Sequence, residues 1–317
     1  MTVQAATIKL NNGREMPATG FGTFGGSHAP PQVYEASKAA LEAGYRHFDT
    51  AWIYQTEEVL GKAIRESGIP REELFITTKL YQTFHEPQHV IPAFELSLKN
   101  LGMDYVDLYL IHWSFAWKFT GYGFDDWKTL QDENGHVEPI DVSFIDTWRE
   151  MEKLVKDGRA KSIGVSNFTI PMLEELLANC EIPPAVNQIE IHPSLPQEDM
   201  IKWCAEHNIA LTAYSPIANP GRRGEPPMLQ HPAVLEAAKK YNKSPVQVLL
   251  NWGLARGYAV IPKSVTPERI KANLERFEMD KEDVEKITAI GREIPRRTCD
   301  PAKIWGPKCD VFNTFSQ

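Results

Sequence analysis

The sequence has few of the features that mark secreted, membrane or metal-binding proteins. Among its 317 residues are only four cysteines, with no C-x-x-C pair and no histidine at zinc-finger spacing. It contains no run of about 18 apolar residues, the length that spans a bilayer. The first ten residues lack the basic segment and apolar core of a signal peptide. We therefore expect a cytoplasmic protein with reduced thiols, no metal site and no membrane association.

Positive charge is also scarce. Lys and Arg number 34 against 42 Asp and Glu, which gives a formal net charge of −8. Contacts with nucleic-acid phosphates need a basic face, so this balance argues against nucleic-acid binding and allows only a local basic patch. We expect a small-molecule substrate as the partner. Composition leaves a monomer and a homodimer equally open.

Short apolar segments alternate along the chain with longer segments of helical periodicity. The alternation predicts eight strands, at 20–23, 47–50, 75–80, 106–112, 162–166, 186–191, 210–215 and 258–262. Apolar residues at three and four spacing predict helices at 31–43, 56–67, 89–101, 144–156, 171–179 and 197–207. This order is typical of a (β/α)₈ TIM barrel in one domain, residues 1–317, preceded by a hairpin that turns at Asn12-Gly13.

Three irregular segments are predicted to lie around the mouth of the barrel. Segments 113–142 and 216–230 each follow a strand and exceed the usual length of βα loops, so both should overhang the C-terminal face. The tail, residues 295–317, shows no helical period, but its Trp305, Phe312 and Phe315 favour docking over the mouth rather than disorder.

One glycine motif suggests a different fold. Gly20-Phe-Gly22-Thr-Phe-Gly25 fits the dinucleotide fingerprint G-x-G-x-x-G, with Asp49 at a suitable distance beyond it. A Rossmann site needs a buried apolar strand before the first glycine and a helix that begins inside the motif. Here the preceding segment 11–18 is polar and Pro30-Pro31 delays the helix, so we disfavour this interpretation.

Four ionisable side chains stand at or just beyond the ends of successive predicted strands: Asp49, Tyr54, Lys79 and His112. The carboxyl ends of barrel strands converge on one face, so these side chains should meet despite their separation in sequence. Any one of them alone would be unremarkable at a strand end. Together they predict a catalytic constellation.

At this point the sequence resembles the aldo-keto reductase family, over residues 18 to 275 and in the family's order. The motifs that carry the resemblance are Phe48-Asp-Thr-Ala-Trp-Ile-Tyr54, Thr77-Thr-Lys79, Leu110-Ile-His112-Trp113, Ile163-Gly-Val-Ser-Asn167, Asn187-Gln188, Ala213-Tyr-Ser-Pro216 and Ile261-Pro-Lys-Ser264. The resemblance implies reduction of a carbonyl, with Asp49, Tyr54, Lys79 and His112 as the catalytic tetrad.

Elementary chemistry agrees with these implied roles. Carbonyl reduction needs a hydride on carbon and a proton on oxygen, and a free tyrosine is a weak acid at neutral pH. We expect the Lys79 ammonium to lower the pKa of Tyr54, and Asp49 to keep that lysine charged and oriented. His112 would orient the carbonyl and stabilise charge on its oxygen.

The resemblance also implies NADPH as the cofactor. It places the nicotinamide on Ser166, Asn167, Gln188 and Tyr214, the pyrophosphate near Ser215 and Ile217, the 2′-phosphate on Lys263, Ser264 and Arg269, and the adenine on Asn273. Lys263 and Arg269 are the local basic patch that the net charge allows. Ala272 and Val265 depart from residues found in many relatives, so use of NADH stays possible.

The substrate side resembles that of yeast and fungal sugar reductases of the xylose and uronate types. Phe24, Trp52, Trp113 and Trp305 are expected to line an aromatic pocket, and Arg296, Arg297 and Cys299 to approach it from the tail. Cys299 stands where xylose reductases offer an Asn, which weakens the xylose interpretation. Arg296 or Arg297, with Lys303 or Lys308, could instead pair with a carboxylate. The expected substrate is a small hydroxylated aldehyde, an aldose or a uronic acid.

Other functions stay open. The chain could be a nicotinamide-binding regulatory subunit with little turnover, or a reductase of non-sugar aldehydes or ketones. Steroid double-bond reduction is a third option, but relatives with that chemistry carry Glu in place of His112.

Overall fold

The computed structural model describes residues 7–25, 30–218 and 228–313. Its strands are β1 Thr7–Lys9, β2 Glu15–Pro17, β3 Phe21–Gly22, β4 His47–Asp49, β5 Phe75–Leu80, β6 Leu108–Ile111, β7 Ala116–Trp117, β8 Pro139–Ile140, β9 Ile163–Ser166, β10 Val186–Glu190, β11 Ala210–Tyr214 and β12 Ala259–Val260. Its helices are α1 Pro30–Ala43, α2 Glu57–Ser67, α3 Pro87–Leu101, α4 Phe144–Lys156, α5 Ile170–Asn179, α6 Glu198–Glu206, α7 Pro232–Tyr241, α8 Pro245–Ala255, α9 Pro267–Ala272, α10 Lys281–Glu293 and α11 Pro301–Trp305.

Eight of these strands form one parallel sheet in the order β12-β11-β10-β9-β6-β5-β4-β3. The first and last strands meet through a parallel bridge between Thr19 and Val260, and the Gly20 N–H donates to the Val260 carbonyl at 2.9 Å. The sheet therefore closes into the predicted (β/α)₈ barrel. Each of the eight strands lies within its predicted range.

The helices pack an apolar face on the barrel, and α4, α7, α8 and α11 begin at a side-chain cap. In α4 the Ser143 hydroxyl accepts from the Ile145 N–H, and Trp148, Met151 and Leu154 are buried towards the barrel. None of the described helices is long and apolar enough to cross a bilayer.

The predicted hairpin, β1 paired antiparallel with β2, covers the N-terminal end of the barrel. Gly13 occupies its turn with φ +83°, a conformation that glycine adopts without strain. Leu10 and Met16 are buried against Phe75 and Leu108, which closes the barrel on the side opposite the mouth.

The long segments at the other end are partly ordered by pairing. In segment 113–142, β7 pairs antiparallel with β8. Of segment 216–230, residues 219–227 lie outside the described ranges, as does Phe315 of the tail. The tail contains one short helix that the sequence did not predict, α11, and the Val137 N–H donates to the Trp305 carbonyl at 2.8 Å. The tail thus packs on the first long segment.

Candidate active site

The four ionisable residues singled out from the sequence come together at the C-terminal face of the barrel. Asp49 ends β4, Lys79 lies near the end of the adjacent β5, and His112 directly follows β6. Tyr54 ends a single 3₁₀ turn, Trp52–Tyr54, that follows β4. The parallel register of neighbouring strands is what brings these side chains to one height in the barrel.

Asp49 and Lys79 form a buried ion pair. The Lys79 Nζ donates to Asp49 Oδ1 at 2.6 Å and to the Thr50 carbonyl at 2.9 Å. The Lys79 side chain is 0% exposed and the Asp49 side chain 3%. Burial lowers the pKa of Lys79, while the negative charges of Asp49 and Glu57 favour its protonated form. Lys79 is therefore held in place, and the Asp49 carboxylate compensates its charge.

Tyr54 and His112 lie beside this pair. The Tyr54 hydroxyl is 3.5 Å from His112 Nε2, and the Phe24 ring meets the Tyr54 ring edge-on at 5.0 Å. Burial, followed by the charges of Lys79 and His85, holds the pKa of His112 well below its ordinary value. His112 is thus a neutral imidazole at physiological pH, able to donate one hydrogen bond.

The predicted lowering of the pKa of Tyr54 is wrong for this structure. Burial raises that pKa well above its ordinary value, and Asp49 and Cys299 raise it further. The Lys79 Nζ stands 5.0 Å from the centre of the Tyr54 ring, but its charge is matched by Asp49 at 2.6 Å. The phenol therefore stays protonated, which is the form that can donate to a carbonyl oxygen.

The residues predicted to hold the nicotinamide form a connected polar group. The Asn167 amide donates to the His112 carbonyl at 3.0 Å and to the Ser166 hydroxyl at 3.1 Å, and its oxygen accepts from the Tyr214 hydroxyl at 2.7 Å. The Gln188 amide donates to Asp49 Oδ2 at 2.7 Å. Gln188 is thus bonded directly to the Asp49–Lys79 pair, and Asn167 to the backbone of His112.

The predicted phosphate-binding residues follow the last barrel strand. Lys263 is half-buried, and burial lowers the pKa of its ammonium. Ser264 lies beside it, Arg269 is exposed on α9, and Asn273 is the C-cap of that helix. The partly buried cation, the hydroxyl and the exposed guanidinium form a donor set that suits a phosphate dianion.

Ser215 and Ile217, predicted near the pyrophosphate, are half-buried in the segment after β11. Ser215 adopts φ +49° and its backbone carbonyl accepts from the Ala218 N–H at 2.9 Å. The chain therefore turns directly after β11.

The predicted aromatic residues occupy two clusters. Trp52 is buried against Tyr81 and Phe84. The Trp113 ring, directly after His112, meets the Trp305 ring of the tail at 5.5 Å and 88°. Phe24 is 59% exposed, so its contact with Tyr54 is at the surface of the site.

The basic residues of the tail separate into two groups. Lys303 pairs with Asp300 at 3.2 Å and Lys308 with Glu138 at 2.6 Å. Each lysine therefore has a carboxylate of the chain as its partner, and its approach to a substrate stays a prediction.

Arg297 is half-buried and stacks on the Phe312 ring at 3.6 Å, and its charge acts on Tyr214. The backbone N–H of Arg296 donates to the Ser194 carbonyl at 2.8 Å, which ties this part of the tail to the barrel. Cys299 is half-buried, close enough to Tyr54 and Tyr214 to influence the pKa of both.

Sequence reasoning missed Glu190, a fully buried carboxylate at the end of β10. It accepts from the backbone N–H groups of Thr298 and Cys299 at 2.8 and 2.9 Å and from His192 Nε2 at 3.0 Å. The only signal in the sequence is an acidic residue that ends an otherwise buried strand segment.

Comparison with known proteins agrees with this geometry. The family model described as "Aldo/keto reductase family" matches residues 18–292. A glycerol 2-dehydrogenase (NADP(+)) of Saccharomyces cerevisiae is 43% identical, over 90% of this chain and 91% of that protein. The structure of an aldose reductase from Schistosoma japonicum has a TM-score of 0.88 at 38% identity, covering 97% of this chain and 99% of that one. An aldo-keto reductase of Bombyx mori in complex with NADP has a TM-score of 0.85 at 38% identity, covering 95% and 97%. The chain belongs to the aldo/keto reductase family.

Proposed function

We propose that this protein reduces the aldehyde of a small hydroxylated substrate, an aldose or a uronic acid, with NADPH. Family membership makes the chain an NADP-dependent oxidoreductase. The observation that carries the catalytic assignment is the approach of the Tyr54 hydroxyl and His112 Nε2 to 3.5 Å, beside the buried Asp49–Lys79 pair.

The cofactor site is assigned to two groups of residues. Ser166, Asn167 and Gln188 would hold the carboxamide of the nicotinamide, with Tyr214 against its ring. Lys263, Ser264 and Arg269 would hold the 2′-phosphate, Ser215 and Ile217 would border the pyrophosphate, and Asn273 would meet the adenine. When bound, NADPH supplies the hydride. NADH remains a possible substitute of lower affinity, since it offers nothing to the Lys263 and Arg269 cations.

The chain's own residues supply the proton and orient the carbonyl. Tyr54 is protonated at neutral pH, as an ordinary phenol is, and burial raises its pKa further. Neutral His112 donates through Nε2 to the same oxygen, so two donors converge where negative charge develops. Lys79 lies next to Tyr54 and stabilises the phenolate left after the proton has moved, with Asp49 holding the ammonium in position.

Arg297 supports the acidic members of the proposed substrate class. Its half-buried guanidinium lies against Phe312 and makes no ion pair with a carboxylate among residues 7–25, 30–218 and 228–313. A substrate carboxylate would give it one.

We also propose that the chain is a single barrel domain whose tail, residues 295–317, lies over the mouth.

The test is a substrate panel with purified protein. NADPH oxidation is followed with D-xylose, D-galacturonate, D-glucuronate and DL-glyceraldehyde, and repeated with NADH. We expect turnover with NADPH and a higher kcat/KM for the uronates than for xylose. Tyr54→Phe should lower the activity about 10²- to 10⁴-fold and leave NADPH binding intact. Undiminished turnover in that variant would disprove the catalytic assignment. A clear preference for xylose over the uronates would exclude a substrate carboxylate from recognition. NADPH binding without turnover of any substrate would identify a regulatory subunit instead.

A further inference from the structure

We propose that Glu190 is a positioning residue that fixes the C-terminal tail over the mouth and thereby determines which substrates bind. This inference rests on the proposed function for its kinetic consequence, but its structural part stands on the contacts of Glu190 alone. The carboxylate is 0% exposed, and it lies at the end of the strand that carries Gln188.

All donors around Glu190 are directed at its two oxygens. Oε1 accepts from the Thr298 N–H at 2.8 Å, from His192 Nε2 at 3.0 Å and from the Thr298 hydroxyl, and Oε2 accepts from the Cys299 N–H at 2.9 Å. Burial raises the pKa of this carboxyl, but the bonds from His192, Thr298 and Cys299 outweigh burial and lower it overall. The anion is thus held by the tail itself.

The position of these two amides controls what the tail presents to the site. Cys299 lies near the phenols of both Tyr54 and Tyr214, where it contributes to their raised pKa values. Further along, the Trp305 ring meets Trp113 at 5.5 Å, next to His112. A shift of the tail at Glu190 would therefore move one wall of the substrate pocket relative to the donors on the barrel.

Burying a carboxylate adds little stability by itself, because the loss of its hydration offsets most of the attraction to its partners. Three directed bonds come from the tail, from the Thr298 N–H, the Thr298 hydroxyl and the Cys299 N–H, and they give this segment a single geometry. Two other attachments of the tail lie outside the barrel sheet: the Arg296 N–H donates to the Ser194 carbonyl in the loop after β10, and the Val137 N–H of the long segment after β6 donates to the Trp305 carbonyl. Glu190 connects the tail to the barrel at the strand that carries Gln188.

The chain supplies a matched control. Glu152, 3% exposed on α4, accepts the backbone N–H groups of Glu181 and Ile182 at 2.7 and 2.9 Å. It is also a buried glutamate bonded to two consecutive amides, but those amides follow α5 and do not belong to the tail. Glu152→Gln should therefore match Glu190→Gln in its chemistry and differ only in the segment released.

The structural measurement is hydrogen exchange of the full-length protein without substrate. In Glu190→Gln, the amides of Thr298 and Cys299 should exchange about 10- to 100-fold faster, which is the size of one lost hydrogen bond to a charged group. In Glu152→Gln, the amides of Glu181 and Ile182 should respond while the tail keeps its protection. Unchanged protection of the tail in Glu190→Gln would overturn the proposal, whether or not the protein is a reductase.

The kinetic measurement compares a substrate that reaches the tail with one that does not. In Glu190→Gln, KM for the best sugar or uronate of the panel should rise about 10-fold or more, while kcat/KM for propanal falls less than about threefold. Glu152→Gln should leave both unchanged. Equal losses for both substrates would mean a general defect and would overturn the specificity role.

If Glu190→Gln does not fold, Thr298→Val removes one donor and keeps the carboxylate. It should show the same difference between the sugar or uronate and propanal, but a smaller one. A uniform loss in Thr298→Val, or none, would count against the proposal.

Discussion

The two ends of the barrel each hold a buried aspartate paired with cations, and the two clusters differ in kind. At the N-terminal end, Asp107 accepts from Arg14 at 2.9 Å, from Arg71 at 2.7 Å and from the Ile76 N–H at 3.0 Å. At the C-terminal end, Asp49 accepts from Lys79 at 2.6 Å and from Gln188 at 2.7 Å.

The difference lies in the cation and in its access to water. Arg14 and Arg71 are 43% and 21% exposed, and a guanidinium keeps its proton in any protein environment. Lys79 is 0% exposed, and its pKa is lowered by burial. The first cluster joins the hairpin to the barrel at the end opposite Tyr54. The second holds a buried ammonium beside Tyr54, where its charge would stabilise a phenolate.

Removing the lysine should give the largest effect on activity. In Lys79→Met, kcat should fall about 10²- to 10⁴-fold, because the phenolate left on Tyr54 loses its neighbouring charge. The variant should also lose about 3 kcal/mol or more of its free energy of unfolding, since Asp49 is left buried and unpaired. The double variant Lys79→Met with Asp49→Asn should regain much of that stability and none of the activity, measured by urea unfolding and NADPH oxidation. Recovery of both together would show that Lys79 acts only on the fold.

The matching change at the other end should affect only stability. Asp107→Asn leaves two partly exposed arginines without their carboxylate, and we expect the free energy of unfolding to fall by about 2 kcal/mol, since water solvates the guanidinium groups. kcat and KM at a temperature where the variant stays folded should equal those of the unchanged protein. A loss of kcat comparable to that of Lys79→Met would remove the distinction between the two ends.

The sequence predicted the barrel and the meeting of Asp49, Tyr54, Lys79 and His112 because both depend on periodicity and on strand ends. It failed where tertiary contacts decide. Helix α8 is buried along 247–253, so its sequence lacks the three-and-four spacing of an amphipathic helix. Helix α11 has only five residues, and it is stabilised by the Asp300 cap and by packing of Trp305 rather than by any pattern of its own.

The direction of the pKa of Tyr54 could not be predicted for a similar reason. The motif places a lysine near the phenol, but the sign depends on how deeply Tyr54 is buried and on how completely Asp49 matches Lys79. The contacts of Glu190 depend on where a tail more than a hundred residues away in sequence docks. No local pattern carries either piece of information.

A smaller effect on activity is expected at the phosphate end of the same face. Lys263→Ala should raise KM for NADPH about 10- to 100-fold, because a charge-assisted bond to the 2′-phosphate is lost. KM for NADH should change less than about threefold. Lys286→Ala, an exposed lysine on α10 paired with Glu282 at 2.8 Å, is the control and should change neither. Equal increases for both cofactors would place Lys263 away from the 2′-phosphate.

The smallest predicted effect compares the two ends through their buried histidines. Burial lowers the pKa of His85 to about 3, below the ordinary value of 6.5, and its ring nitrogens have no hydrogen-bond partner in the part of the chain that the structure describes. The unfolded chain therefore binds a proton that the folded protein does not, so stability is full above about pH 6.5 and falls as the pH drops towards 3. His47, at the start of β4, is also lowered by burial, but its bond to the Pro17 carbonyl and the charges of Asp49 and Asp107 oppose the shift. From pH 7 to pH 5, the free energy of unfolding of His85→Gln should fall by about 2 kcal/mol less than that of the unchanged protein. The corresponding difference for His47→Gln should be smaller. Both variants are measured by urea unfolding at the two pH values. Equal differences in His85→Gln and His47→Gln would show that the Pro17 carbonyl, Asp49 and Asp107 do not stabilise the charged form of His47.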